Sequence, residues 1–207
     1  MNSRGQTQLQ AARAGRLTPE METVSRDEGI ASERLLQEIA EGRIVIPANR
    51  GRSSRLPRGI GAGLTTKVNV NIGVSGDCAD WDQEMEKARL AALLGAEALM
   101  DLSLSPESRR FRKTLAAQSP LLLGSVPVYD APHLFARDFE SLTVDQLFAA
   151  VEAHAEDGMD FMTVHAGLTR QAADRLTGSS RLTHVVSRGG ALLFSWMEAN
   201  GRENPFY

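Results

Sequence analysis

At 207 residues the chain is long enough for one well-cored domain but short of the roughly 250 residues of a complete (β/α)8 barrel. Its 42% hydrophobic and 24% charged residues are ordinary for a globular protein, and a formal net charge of −3 gives no electrostatic reason to expect nucleic acid. No apolar run is long enough to span a membrane, the first residues lack a signal core, and the single cysteine, Cys78, excludes an internal disulfide and any cysteine-only cluster or zinc site within these residues; a cytoplasmic location is the default.

Residues 6–15 and 18–42 read as two helices, the second opened by Thr18-Pro19-Glu20 and closed by Gly42. Residues 43–47 are a short extended piece. Residues 49–66 are rich in glycine and arginine and form a loop, long enough to be either functional or flexible. Residues 1–66 therefore make an N-terminal unit of helices and loop, and 67–207 a regular one. In the second unit the extended segments 67–72, 96–102, 121–129 and 160–165 alternate with helices over 80–94, 106–118, 144–157 and 169–177. A short extended segment (182–186) and a helix (191–200) follow. Gly95 and Gly158 stand where helix C-caps belong, and Thr143 where an N-cap does. Such alternation predicts parallel β-α units. Four units cannot close eight strands, so the pattern fits either an open doubly wound sheet or the front half of a barrel.

Asn71, Met100 and Tyr129 are 29 residues apart each time, and His165 follows 36 later. One β-α unit has that length, so the four side chains are expected at equivalent places on the C-terminal ends of successive strands, where α/β folds build active sites. Ser187-Arg188-Gly189-Gly190 then opens a helix, a junction whose amides, helix dipole and arginine suit a phosphate. Taken singly, each residue also has a plainer role. His165 reads equally as a hydrogen-bonded structural histidine, Met100 as core, Tyr129 as a barrel cap, and one of Asn69 and Asn71 as a partner for backbone groups. Asp101 reads as a holder of backbone amides or neighbouring charges, and Cys78 as incidental. His133, His154 and His184 have no metal spacing, and His154 reads as mid-helix on a solvated face. The arginine-rich loop is either solvated or closes over an anionic substrate.

The segments TPEME (18–22), IPAN (46–49), KVNVNIG (67–73), GAEALMDLS (95–103), GSVPVY (124–129), VHAG (164–167) and VVSRGG (185–190) resemble, in order and spacing, the phosphomethylpyrimidine synthase family. These are radical S-adenosylmethionine enzymes that rearrange aminoimidazole ribotide. The resemblance runs from about residue 7 to 207. It implies a (β/α)8 TIM-type barrel, of which this chain supplies the N-terminal helices and about the first four to five β-α units. It also implies a homodimer.

The matching positions are then expected to bind substrate. Ser187, Arg188 and Gly189 hold the ribotide phosphate, and Asn71, Tyr129 and His165 hydrogen-bond ribose and ring. His165 is also a candidate proton shuttle, and Met100 an apolar wall. The family's 4Fe-4S cluster, S-adenosylmethionine and a candidate zinc ion would find their ligands beyond residue 207, in an Asp-Gly-Leu-Arg segment, two histidines and a CxxCxxxxC motif that these residues lack. Further chain or a partner is expected to cover the two open sheet edges of a half barrel.

Of the two known branches, GIGAGLTTKVNVNIG (59–73), the ending RENPFY (202–207) and the lack of an extra N-terminal domain resemble the one that makes 5-hydroxybenzimidazole, for the lower ligand of a cobamide. The thiamine-pyrimidine branch and a non-catalytic ribotide-binding fragment are the alternatives. The family's NIGNS appears here with Val74, and its MDLSTG with Leu104-Ser105; both changes are expected at the rim, where they would alter how substrate lies.

Overall fold

The protein is described by a computed structural model over residues 6–52, 55–183 and 185–207. The N-terminal unit opens with α1 (Gln8–Arg13), capped by Thr7 and Gln10 in a reciprocal capping box. Next come α2 (Pro19–Glu28) and α3 (Ser32–Ala40), so the expected single helix over 18–42 is in fact two. The break is Gly29, which turns left-handed (φ 64°) and ends α2 with its amide on the Arg26 and Ser25 carbonyls. Met21, Val24, Leu35 and Ile39 from these helices bury against Ala11, Ala12, Ile44 and Ile46, a small core of their own. β1 (Ile44–Val45) pairs antiparallel with β2 (Ile60–Gly61), so the expected loop over 49–66 contains a strand.

Arg52 of that loop is built into the scaffold. Arg52 is 4% exposed; its Nη2 donates to the Ser119 and Leu121 carbonyls at 2.7 and 3.1 Å, its Nε to the Ala116 carbonyl at 3.2 Å, and its Nη1 pairs with Asp160. Asn49 adds its amide to Asp160 (2.8 Å) and its side chain to the Ala155 and Met159 carbonyls. Leu121 and Asp160 immediately precede strands, so this clamp sits at their N-terminal ends, opposite the rim where α/β sites are built. The expectation that the arginine-rich loop is solvated or closes over a ligand is thereby corrected for Arg52: a guanidinium with this many carbonyl acceptors is a structural rivet.

The second unit runs β3 (Asn69–Ile72), α4 (Trp81–Leu93), β4 (Ala98–Asp101), α5 (Ser108–Gln118), β5 (Leu122–Ser125), α6 (Pro127–Phe135), a 3-10 turn (Phe139–Ser141), α7 (Val144–Glu156), β6 (Phe161–Met162), α8 (Arg170–Thr177) and α9 (Arg188–Asn200). Asp80, Thr143 and Thr169 cap α4, α7 and α8 with their side chains. Gly95 and Gly158 take left-handed conformations just past α4 and α7, as expected. No strand forms among the described residues of 182–186.

The four strands are parallel and lie in the order β3-β4-β5-β6, that is, in chain order. A doubly wound sheet reverses its strand order at a switch point; this one does not. The architecture is an α/β partial TIM-type barrel. Ile72, Leu99 and Leu123 face α4 and α5, where they bury Ala88, Ala91, Phe111 and Leu115. Among the described residues, no helix is long and apolar enough to cross a membrane.

Candidate active site

Asn71 and Met100 are direct register partners on β3 and β4, as their 29-residue spacing predicts. The third interval does not continue the pattern, because Met100 pairs with Gly124, not with Tyr129. β5 ends at Ser125, and Tyr129 lies in the first turn of α6, its amide on the Val126 carbonyl at 3.0 Å. Pro127 explains the change: it cannot donate to a strand ladder and is preformed for a helix start. His165 likewise lies beyond β6, in the turn before α8.

These two displaced residues are the ones that meet. The rings of Tyr129 and His165 are 6.2 Å apart between centroids, and the Arg188 guanidinium lies 5.7 Å from the Tyr129 centroid, within cation-π reach. Gly189 closes the group from below. A Cβ there would stand 2.1 Å from His165 Cε1 and 2.4 Å from Nδ1, so only glycine lets the imidazole lie on the helix end. Ser187 is the N-cap of α9: its Oγ accepts from the Gly190 amide at 3.1 Å. The amides of Arg188 and Gly189, first in the helix, have no intrahelical acceptor and point outward with the positive end of the helix. Helix α9 starts three residues earlier than the expected 191, which puts Arg188 inside its first turn.

Met100 packs on the same hydrophobic cluster as Tyr129. Asn69 and Asn71 both stand exposed on the same face of β3, and Asn71 accepts a hydrogen bond from Asn69 Nδ2 at 3.3 Å. Burial holds the His165 imidazole below its ordinary pKa, and its Nδ1 is buried without a hydrogen-bond partner. A neutral imidazole carries one acceptor nitrogen and one donor, which suits it to a ligand hydrogen bond near neutral pH.

Behind the rim lies a buried polar network that sequence reasoning did not find. Arg112 Nη2 donates to Asp130 at 2.7 Å and to Asp157 at 3.1 Å, and Ser125 Oγ meets His154 Nδ1 at 2.8 Å. His154 Nε2 stands 3.4 Å from Asp130 without hydrogen-bond alignment. His154 is 1% exposed, which corrects the expected solvated face. The face of α7 that carries it packs on α6 and β5, and the polar ring is buried because Ser125 and Asp130 accommodate it. Burial pushes the Asp130 carboxyl up, but His154 and Arg112 bring it below the usual carboxylate range. Residues 125 and 130 are thus pinned on either side of Tyr129.

Asp101 holds local amides, as one of its expected roles had it. Its Oδ1 accepts from Ser103 N at 3.0 Å and Ser103 Oγ at 2.5 Å, and burial raises its pKa. Ser103 Oγ in turn accepts from the Val74 amide at 3.2 Å, and the Val74 side chain is 2% exposed. Val74 therefore points into the scaffold, not onto the rim, contrary to expectation. His133 is exposed on α6, and His184 lies outside the described residues.

Cys78 is exposed, and among the described residues no three His, Cys, Asp or Glu side chains could hold a metal ion together. A 4Fe-4S cluster needs three or four thiolates. The residues of this chain do not fit such a cluster, and no step through it follows from them.

Comparison with known proteins shows the family. Residues 7–207 match the radical SAM ThiC family. The phosphomethylpyrimidine synthase of Pelotomaculum thermopropionicum is 53% identical over 201 residues, which cover 97% of this chain and 46% of that protein. Those of Clostridium tetani and Clostridium perfringens are 46% and 49% identical over 201 residues, again 97% of this chain and 44% and 46% of theirs. The chain thus spans under half the length of these relatives. Their name overturns the expected 5-hydroxybenzimidazole branch. Part of what suggested that branch is scaffold: residues 60–61 pair in the β1-β2 ribbon and Asn204 of RENPFY is buried. A radical SAM family implies a 4Fe-4S cluster and S-adenosylmethionine, and on a match covering nearly its whole length this chain belongs to the radical SAM ThiC family.

Proposed function

We propose that this chain is the substrate-holding part of a phosphomethylpyrimidine synthase, the enzyme of thiamine-pyrimidine synthesis, and that it binds aminoimidazole ribotide. The observation that carries this reading is the convergence of Tyr129, His165, Arg188 and Gly189 on the N-terminus of α9. The names of relatives at 46–53% identity support the choice of reaction.

In this reading the phosphate sits on the amides of Arg188 and Gly189, with Ser187 shaping the turn and Arg188 supplying charge. Tyr129 and Asn71 hydrogen-bond the ribose and ring, and Met100 gives an adaptable apolar wall. His165 offers a neutral imidazole for a hydrogen bond or a proton. The cluster and S-adenosylmethionine supply the radical chemistry when bound; this chain binds, orients and excludes water. Zinc and a homodimer belong to the same proposal, their residues lying outside the site described.

The test is product identification. The full-length product, reconstituted anaerobically with iron and sulfide, is given S-adenosylmethionine, a reductant and aminoimidazole ribotide. Phosphomethylpyrimidine by mass spectrometry is expected; turnover to any other product contradicts the reading.

A further inference from the structure

The segment that follows α9 reaches back and takes hold of the turn that carries His165. Asn204 is 3% exposed, and its Nδ2 donates to the His165 carbonyl and to the Leu168 carbonyl, both at 2.8 Å. Its Oδ1 accepts from the Phe206 amide at 3.0 Å, so both ends of the carboxamide are in use. Glu203 Oε1 completes the grip, accepting from the Asn204 amide at 2.8 Å and from the Arg170 amide at 2.9 Å, at the start of α8. Phe206 anchors the segment against Phe148, 5.4 Å away between ring centroids.

His165 needs such a hold. Functional histidines are usually oriented by a hydrogen bond at the second ring nitrogen, and His165 Nδ1 has no hydrogen-bond partner. Its ring rests on Gly189 and faces Tyr129 and Arg188, contacts that constrain its position without fixing it by a bond. What fixes the residue is its backbone, and the group bonded to that backbone carbonyl is Asn204. Helix α9 therefore grips His165 twice, with Gly189 under the ring at its first turn and with Asn204 on the carbonyl just past its end.

We propose that Asn204 is a positioning residue for His165: it fixes the 165–168 turn so that the imidazole stays on Gly189, beside Tyr129 and Arg188. The inference rests on the ribotide reading only for its choice of ligand.

The test uses the full-length protein with Asn204→Ala and, because the first may not fold, Asn204→Ser, which can donate to one of the two carbonyls. Trp196→Phe is the control; it removes a buried hydrogen bond from helix α9 itself, Trp196 Nε1 to the Leu142 carbonyl at 2.8 Å. Two readouts are taken: affinity for aminoimidazole ribotide against pH, and the His165 ring titration by NMR with labelled histidine. Asn204→Ala is expected to weaken ribotide binding about tenfold or more, the scale of one lost orienting bond, and to bring the His165 titration toward its ordinary value as the ring is freed to water. Asn204→Ser is expected between the two, and Trp196→Phe to lower thermal stability while leaving both readouts unchanged. An unchanged His165 titration in either Asn204 variant overturns the proposal, and so do matching shifts in Trp196→Phe. Should the wild-type protein fail to bind ribotide, the ligand reading fails, and the titration alone still decides the role of Asn204.

Discussion

The imidazole of His165 lies across the backbone of Gly189, so close that a Cβ at position 189 would stand 2.1 Å from its Cε1. Gly189→Ala must therefore displace the ring, while the helix itself favours alanine by about 1 kcal/mol. Ribotide binding is expected to weaken by about tenfold or more while the thermal midpoint stays within a few degrees. Calorimetry on the full-length protein, both titration and scanning, checks the pair. Loss of both together would mean that Gly189 matters for folding alone.

Arg188 carries the charge at that helix end. Removing a charge-assisted hydrogen bond costs about 1.5–3 kcal/mol, or roughly 10- to 150-fold in affinity. Arg188→Ala is expected to lose that much for aminoimidazole ribotide and little for the dephosphorylated riboside. Arg188→Lys keeps the charge without the planar fork and should fall between. Equal losses for ribotide and riboside in a titration would remove the phosphate from this site.

Arg112 holds Asp130 and Asp157 together in the interior. Arg112→Met leaves Asp130 buried without its guanidinium, and removing one partner of such a pair typically costs about 3–5 kcal/mol. Urea denaturation should show a loss of that order. A loss under about 1 kcal/mol, the range of surface ion pairs, would show that the network is not what holds α5 to α6 and α7.

His154 gives the fold a pH dependence. Burial holds its imidazole below the ordinary 6.5 even though Asp130 pulls the other way. A depressed folded pKa means that the unfolded chain takes up the proton first, so stability rises with pH across that window. The contribution is complete above about pH 6.5 and is lost as pH falls through the folded value. The thermal midpoint should rise from about pH 5 to pH 7, and His154→Gln should flatten that rise. His165, shifted in the same direction, leaves part of the slope in place. A rise of the same size in the variant would assign it to other groups.

How much of this was legible in the sequence differs by residue. The parallel β-α order, the caps at Thr143 and Gly158 and the Asn71–Met100 pairing were, because each depends on local rules or a fixed repeat. The strand ending at Tyr129 was not, since Val126-Pro127-Val128 has strand composition and only the proline betrays the helix start. Gly29 is the local signal for the break between α2 and α3, since glycine ends helices more often than it continues them. The burial of His154 and Arg52 is not legible locally, because a polar residue on an amphipathic face or in a loop looks solvated until its partners, far along the chain, are known. Asn204 had no local signal at all; its partners lie 36 and 39 positions away.

The most direct measurement is a crystal structure of the full-length protein with aminoimidazole ribotide bound. The account predicts the phosphate on the amides of Arg188 and Gly189, with His165 and Tyr129 against the aminoimidazole ribose. A ribotide phosphate bound elsewhere, with the first turn of α9 bare, would contradict it.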